Sequence, residues 1–283
     1  MLSRQSFLGR HSRRLARRFL ARFFPDRLVL RSVRKTYDGI AASAPQRRLA
    51  FMNYGYAPLT PGETQPVLAA EDREFQYHVN LFNEVYRHID CAGLDVLEVG
   101  CGQGGGVYYS ARYLKPRRIT GVDLSPVNIA TARATFPLEN VVFQVGNAMQ
   151  LPFVRRSFDV VVNIESSHLY PDAPRFFREA RRVLRAGGSF LFTDLGPVER
   201  MRGLRAQFEA AGFAVRVARD ITANVMEAIR KDNDRRLQLL RYMAKSEEQL
   251  KGLEEWARVP GSQGFDRYRR GEDQYWAYVL KTV

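Results

Sequence analysis

Between positions 94 and 219, short apolar runs alternate with longer amphipathic stretches. Short runs bounded by turn residues predict strands, and apolar residues every three or four positions predict helices. The predicted strands are Asp95–Gly100, Arg118–Asp123, Val141–Val145, Phe158–Ile164, Ser189–Asp194 and Phe213–Ala218. The helices predicted between them are Val107–Leu114, Val127–Thr135, Arg175–Leu184 and Met201–Ala211. This alternation indicates an α/β fold with a doubly wound, mostly parallel sheet.

The alternation stops at about residue 220, where a helical segment replaces it. Thr222–Trp256 precedes a last predicted strand, Gln274–Lys281, which brings the expected sheet to seven strands. A helical insertion at this place predicts either a lid over a ligand crevice or a pair of packing helices. A further helix is expected at about Val67–Ile89. The expected organisation is an arm over 1–35, a helical cap over 36–90, a core over 91–219, a lid over 220–260 and a final strand region over 261–283.

The net charge of +14 is concentrated at the N-terminus, where residues 1–35 contain eleven basic residues and one acid. In a helix, Leu8, Leu15, Phe19 and Phe23 would share one face, with the arginines mostly elsewhere. Such a helix suits an anionic membrane surface. An arginine-rich start also resembles a mitochondrial targeting peptide, a nucleic-acid arm or a solvated arm. We expect a cytoplasmic protein, peripheral at the inner face of the membrane, with a targeting role left open.

Other global features restrict the function further. No apolar run approaches the roughly 20 residues that span a bilayer. The two cysteines, Cys91 and Cys101, lack metal-ligand spacing, so both are expected to be reduced and no metal site is predicted.

A glycine-rich segment at the first strand-to-helix junction is the best candidate for a cofactor site. Gly100, Gly102 and Gly105 satisfy the dinucleotide pattern G-x-G-x-x-G, and Asp123 lies 21 residues after Gly102. This spacing suits NAD or S-adenosylmethionine, because both contain an adenosine. Glu98 favours S-adenosylmethionine, since a carboxylate attracts the ammonium of an amino acid and repels a pyrophosphate.

The succession of motifs resembles the class I S-adenosylmethionine-dependent methyltransferases. The residues that carry it are LEVGCGQG (97–104), Asp123, GNAMQLPF (146–153), SFDVVV (157–162) and RVLRAGG (182–188). The resemblance implies a Rossmann-like fold and methyl transfer from S-adenosylmethionine, with S-adenosylhomocysteine as product. It also implies cofactor contacts: Gly100, Cys101 and Gly102 at the methionine, Glu98 at its amino group, Asp123 at the ribose, Leu124 on the adenine, and Asn147 and Ala148 at the adenine edge. The family usually has Asp where this chain has Asn147.

Three further positions are candidates around the reacting methyl group. His168 follows the fourth predicted strand, and imidazole titrates near pH ~6.5, which suits a base that accepts a hydroxyl proton. Asp194, at the end of the fifth strand, is a second base or an orienting partner of His168. Glu165 is expected to face the cofactor or the wall of its cleft, and Tyr54 to close over the cofactor from the N-terminal side.

A closer resemblance narrows the substrate. NIESSHLYP (163–171), FMNYGY (51–56) and CGQGGG (101–106) are similar to segments of the mycobacterial phthiotriol/phenolphthiotriol dimycocerosates methyltransferases. The resemblance implies O-methylation of a hydroxyl on a hydrophobic lipid, polyketide or related natural product. Alternatives are methylation of N or C in another small molecule, a nucleic-acid methyltransferase using the basic arm, an NAD-dependent dehydrogenase and a cofactor-binding scaffold without turnover.

Overall fold

A seven-stranded mixed sheet forms the centre of the molecule, with strand order β3-β2-β1-β4-β5-β7-β6. The computed structural model describes residues 26–43 and 47–283. Six strands are parallel, and β7 runs antiparallel between β5 and β6. The strands are β1 (Asp95–Val99), β2 (Arg118–Asp123), β3 (Val141–Val145), β4 (Phe158–Ile164), β5 (Leu184–Pro197), β6 (Phe213–Asp220) and β7 (Asp273–Thr282). The predicted α/β class, strand number and mostly parallel direction are confirmed.

Helices cover both faces of the sheet and its carboxyl edge. In the described residues they are α1 (Asp26–Ser43), α2 (Gln76–Tyr86), α3 (Gly105–Tyr113), α4 (Pro126–Thr135), α5 (Ala173–Val183), α6 (Val198–Ala210), α7 (Thr222–Lys231), α8 (Asn233–Met243), α9 (Glu247–Ala257) and α10 (Gln263–Arg269). Helix α1 crosses the boundary expected between arm and cap at residues 35 and 36. The amphipathic helix predicted from Leu8 to Phe23 lies outside the described residues.

Buried side chains on both faces of the sheet explain why its strands are so apolar. In β4, Val160, Val162 and Ile164 join the apolar cluster on one face, and Val161 joins the cluster on the other. A strand that is covered on both faces needs apolar residues at successive positions, as its sequence predicts. Strand β1 lies between β2 and β4. After β1 the chain forms β2 and β3 on one side of it and then crosses to the other side to form β4. The crevice at the carboxyl ends of β1 and β4 is therefore where such a sheet binds a ligand.

The helical insertion forms a small apolar core of its own. Helices α7, α8 and α9 replace the single helical block predicted over Thr222–Trp256, and α10 follows them. The buried residues of this core are Leu49, Leu240, Met243, Leu253, Ala257 and Val259. Ile40 of α1 and Met52 pack against it. The insertion is thereby joined to the N-terminal segment as well as to the sheet.

Two predicted elements have different limits in the structure. The helix expected at Val67–Ile89 is a 3₁₀ turn, Ala70–Phe75, followed by α2. Strand β5 begins at Leu184, before the two glycines that were expected to precede it, and extends to Pro197. Pairing with β4 on one side and β7 on the other supports this longer strand, and neither partner is visible in the local sequence. Among the described helices, none is long and apolar enough to traverse a bilayer.

Candidate active site

A tight glycine turn connects β1 to α3 at the carboxyl edge of the sheet. The N–H groups of Gly100 and Cys101 both donate to the carbonyl of Val122, at 2.7 and 3.1 Å. Gly100 and Gly102 have positive φ angles of 75° and 53°. A Cβ atom at Gly100 would lie 2.4 Å from Oγ of Ser166. Glycine is therefore required for both the turn and the close approach, as the motif predicts.

Asp123 ends β2 beside this turn. Its Oδ2 accepts the N–H of Gly102 at 3.0 Å, and its Oδ1 accepts the N–H of Ser125 at 2.8 Å. Burial raises the pKa of the Asp123 carboxyl above its ordinary value, although these hydrogen bonds act in the opposite direction. The carboxylate lines the cleft described below, where it can accept hydrogen bonds from vicinal hydroxyls.

Glu98 supplies a second buried carboxylate, on the other side of the turn. It is 3 % exposed, and its Oε2 has no hydrogen-bond partner among the described residues. Burial, followed by the nearby charge of Asp123, raises the pKa of Glu98 well above its ordinary value. A buried carboxylate without a partner is costly, so its position suits a ligand that carries an ammonium group.

A cleft of about 960 Å3 joins these groups. Nine of the ten residues predicted to bind the cofactor line it: Glu98, Gly100, Cys101, Gly102, Asp123, Leu124, Asn147, Ala148 and Glu165. An unpaired acid, a glycine cradle and a second acid therefore occur in the order that the amino acid and the ribose of S-adenosylmethionine require. The residues present fit this cofactor.

The end of the cleft that is predicted to hold the adenine is bordered by Leu124, Asn147 and Ala148. Oδ1 of Asn147 accepts the N–H of Met149 at 3.0 Å, which orients the amide within its turn. An amide oxygen has two lone pairs and can accept a second hydrogen bond. The substitution of the usual Asp by Asn147 therefore keeps an acceptor and removes a charge.

Tyr54 is the tenth predicted residue, and it lies behind the wall of the cleft instead of on it. Its N–H donates to Oε1 of Glu165 at 2.7 Å, and its hydroxyl donates to the carbonyl of Trp256 at 2.8 Å. Arg236 donates to the carbonyl of Tyr54 at 2.6 Å. These contacts join the segment around Tyr54 to the insertion, and a direct cofactor contact by Tyr54 stays a prediction.

Glu165 follows β4 in a left-handed conformation, with φ 50°. A non-glycine residue in this region carries backbone strain, which concentrates at functional sites. Its Oε1 accepts from the N–H of Tyr54 and from the hydroxyl of Tyr275, at 2.7 and 2.8 Å. Burial raises the pKa of Glu165 to about 8. This side chain lines the cleft between the glycine turn and the insertion.

His168 and Asp194 meet at the ends of β4 and β5. Nδ1 of His168 lies 2.7 Å from Oδ1 of Asp194, whose side chain is completely buried. The other carboxylate oxygen accepts from Oγ of Ser167 at 2.5 Å and from Arg200 at 2.7 Å. Neither His168 nor Asp194 is on the cleft wall, but the neighbouring residues Ser166 and Leu169 are. The pairing expected between the two is present, and their catalytic role stays a prediction.

Two features of the site were missed from the sequence. Helix α1 covers the cleft with Leu30, Val33, Arg34 and Tyr37, although residues up to 35 were expected to form a separate arm. The apolar spacing of these residues was the available signal, but the surrounding basic residues obscured it. Arg200 was also missed, because nothing near it in the sequence connects it with Asp194.

Comparisons with known proteins agree with this geometry. A family model described as a methyltransferase domain matches residues 97–192. Phthiotriol/phenolphthiotriol dimycocerosates methyltransferase 1 of Mycobacterium ulcerans is 34 % identical over 218 residues, which are 77 % of this chain and 80 % of that protein. A fatty-acid O-methyltransferase of Mycolicibacterium smegmatis is 42 % identical over 149 residues, 53 % of this chain and 54 % of that protein.

Solved structures share the fold at low sequence identity. The [4+2]-cyclase SpnF has a TM-score of 0.67 and 21 % identity, over 88 % of this chain and 95 % of that one. The geranyl diphosphate C-methyltransferase of Streptomyces coelicolor A3(2), solved with S-adenosyl-L-homocysteine, has a TM-score of 0.61 and 17 % identity, over 90 % and 98 % of the two chains. One of these neighbours is a cyclase, so the fold alone does not identify the reaction.

Proposed function

This chain belongs to the class I S-adenosylmethionine-dependent methyltransferases, and from that premise we propose that it methylates a hydroxyl group of a hydrophobic lipid or polyketide-type natural product. S-adenosylmethionine is its cofactor. The single observation that carries the hydroxyl assignment is the contact between His168 and the buried carboxylate of Asp194 at the cofactor edge of the sheet.

The chemistry explains why such a contact matters. The bound cofactor supplies a methyl group on a positively charged sulfur. A hydroxyl acceptor would have to lose its proton when it takes this methyl group. Asp194 accepts the Nδ1–H of His168, so Nε2 is the atom that can receive this proton. Asp194 also stabilises the imidazolium that results.

The walls of the cleft support an apolar substrate. Phe51, Met52, Phe82 and Leu169 line the cleft together with Leu30 and Val33 of α1. Both named relatives act on lipids or fatty acids according to their names. An apolar, covered site also excludes water, which would otherwise compete for the hydrogen bonds of the acceptor.

A carboxylate is the competing acceptor, because one relative is named a fatty-acid O-methyltransferase. A carboxylate is already ionised at neutral pH and needs no base. The pairing of His168 with the buried carboxylate of Asp194 therefore favours a hydroxyl acceptor, and the difference in base requirement provides the test.

The test compares a long-chain alcohol or phenol with palmitate as the methyl acceptor, using the full chain and the His168→Ala variant. We expect the full chain to methylate the hydroxyl compound and the variant to lose that activity. Methylation of palmitate alone, at the same rate in both proteins, would contradict the hydroxyl assignment. Unchanged hydroxyl methylation by the variant would contradict the role of His168.

We also propose that the protein is cytoplasmic and associates with the inner face of the membrane through the basic residues 1–25. Seven of the first 25 residues are arginines, and none of the 25 is acidic. Each basic residue near an anionic bilayer contributes about 1 kcal/mol. A lipid substrate would then be methylated at the surface that contains it.

A further inference from the structure

Five arginines line a second concave surface, at the edge of the sheet opposite the cofactor cleft. These residues, which we call the arginine groove, are Arg155, Arg156, Arg178, Arg181 and Arg182, and the space between them is about 820 Å3. The N–H of Arg156 donates to the carbonyl of Arg182 at 3.0 Å. This contact places the groove where β4 and β5 begin, whereas the cofactor lies where the parallel strands end.

Two of the five side chains are held by the fold. Arg182 donates to both carboxylate oxygens of Glu179, at 2.7 and 2.8 Å, and to the carbonyl of Phe153 at 2.7 Å. Arg181 donates to the carbonyls of Gly212 and Val283, at 3.1 and 2.5 Å. These two guanidinium groups therefore have fixed positions on the wall of the groove.

The guanidinium groups of the other three arginines make no hydrogen bond or ion pair with any described residue. Arg155, Arg156 and Arg178 are exposed. Arg178 is three and four positions from Arg181 and Arg182 on α5, a spacing at which like charges repel each other. Glu179 already forms an ion pair with Arg182, so it does not neutralise the charges of the other arginines in the groove. A bound anion would remove this repulsion.

Small residues keep the floor of the groove open. Ala211 lines it, and Gly212 follows with a φ angle of +86°. A Cβ atom at Gly212 would lie 3.4 Å from Nε of Arg181. The apolar side chain of Val154, which precedes Arg155 in the chain, is 79 % exposed.

We propose that the arginine groove binds a phosphate group. The planar guanidinium donates two parallel hydrogen bonds that match two phosphate oxygens, and several such groups around one concave surface suit a multiply charged phosphate. The phosphate belongs either to the headgroup of an anionic phospholipid or to a soluble compound. The exposed side chain of Val154, beside Arg155 in the chain, is compatible with a bilayer. Binding here is independent of methyl transfer, because the groove and the cofactor cleft lie at opposite edges of the sheet.

The experiment measures protection of individual arginines in the full chain. Phenylglyoxal modifies accessible arginines, and mass spectrometry locates each modified residue. We expect pyrophosphate to protect Arg155 and Arg178 in a saturable manner and to leave Arg241, an exposed arginine of α8, equally reactive. Protection by phosphatidylglycerol vesicles, compared with phosphatidylcholine vesicles, would identify a lipid headgroup as the source, and protection by pyrophosphate alone would identify a soluble phosphate.

Variants provide the second measurement. The double variant Arg155→Ala/Arg178→Ala should bind the effective probe at least tenfold more weakly than the full chain, with Arg241→Ala as the matched control. Because protection from phenylglyoxal is measured for each arginine separately, binding at residues 1–25 is distinguished from binding at the arginine groove. Equal reactivity of Arg155 and Arg178 with and without both probes would overturn the proposal, as would equal affinity of the double variant.

Discussion

The carboxylate of Asp194 receives hydrogen bonds on both oxygens, and one of them comes from Nδ1 of His168 at 2.7 Å. The N–H of Leu195 donates to the same oxygen at 2.9 Å, and Arg200 donates to the other at 2.7 Å. Burial alone would raise the pKa of this carboxyl, but Arg200, His168 and Ser167 outweigh it and hold the pKa of Asp194 well below its usual range. Asp194 therefore remains ionised and orients the imidazole of His168.

This relationship predicts the effect of replacing the imidazole. The His168→Ala variant should lose methyl transfer to a hydroxyl by roughly 10²–10⁴-fold, the contribution typical of a general base. Its affinity for S-adenosylhomocysteine, measured by calorimetry, should be little changed, because His168 does not line the cofactor cleft. The exposed His88 provides the matched control, and a His88→Ala variant with the same loss of activity would contradict a specific role for His168.

Replacing Glu98 should change stability and cofactor affinity in opposite directions. The pKa of Glu98 is raised in the folded protein. Below the unfolded pKa, Glu98 is protonated in both states and costs the folded state nothing. As pH rises toward the folded pKa, the unfolded chain releases this proton first, so stability is lost. Glu98→Gln removes this penalty and should raise the free energy of unfolding at pH 7.

The same variant should bind S-adenosylmethionine more weakly by roughly tenfold or more, because a charged hydrogen bond to its ammonium is lost. Urea denaturation and calorimetric titration measure the two effects, with Glu247→Gln on the surface as the control. Unchanged cofactor affinity in Glu98→Gln would show that the ammonium binds elsewhere.

Glu165 should give stability a distinct pH dependence. Its pKa is about 8 when folded, because of burial, and about 4.3 when unfolded. Between these two values the unfolded chain releases a proton that the folded chain retains, so stability falls as pH rises through this window. The melting temperature of Glu165→Gln should decline less between pH 5 and pH 8 than that of the unmodified chain. Parallel curves for the two proteins would disprove this contribution.

Asp123 should be required for binding the ribose. The Asp123→Ala variant should lose at least tenfold in affinity for S-adenosylhomocysteine, because two hydroxyl groups lose a charged acceptor. The carboxylate also accepts the N–H of Gly102 at 3.0 Å, so the glycine turn is loosened as well. Circular dichroism should confirm that the variant remains folded, and a folded variant with full affinity would exclude a ribose contact.

Residues 1–25 and helix α1 should have different functions. Removal of residues 1–25 should weaken binding to anionic liposomes and leave cofactor affinity intact, since α1 is retained. Tyr37→Ala should weaken cofactor binding instead, because Tyr37 lines the cleft. Flotation with liposomes and calorimetry measure the two effects. Equal flotation of the full and shortened chains would remove the membrane hypothesis.

Several parts of the site are predictable because their signals are contiguous in the chain. Gly100 and Gly102 belong to one short motif, and Asp123 follows at the end of the next strand. His168 follows β4 and Asp194 lies near the end of β5, and parallel strands place their carboxyl ends at one edge. The sequence therefore predicts that these side chains lie near one another, but it gives no distance between them.

Other parts could not be predicted because they depend on residues far apart in the chain. Tyr54 was expected on the cofactor, yet its backbone and hydroxyl bind Glu165 and Trp256. Helix α1 was divided at residue 35, because its basic residues matched the arm and its apolar residues had no visible partner. The long strand β5 depends on pairing with β7, whose residues follow after the whole insertion.

By itself, the sequence determined the α/β class, because periodicity acts over a few neighbouring residues, and the ordered motifs of the resemblance indicated the cofactor. Only the tertiary structure decided that α1 covers the cleft, that Arg200 holds Asp194 and that five arginines meet at the opposite edge. Those contacts form between surfaces that are far apart in the sequence and that exclude water when they pack together, so no local sequence pattern predicts them.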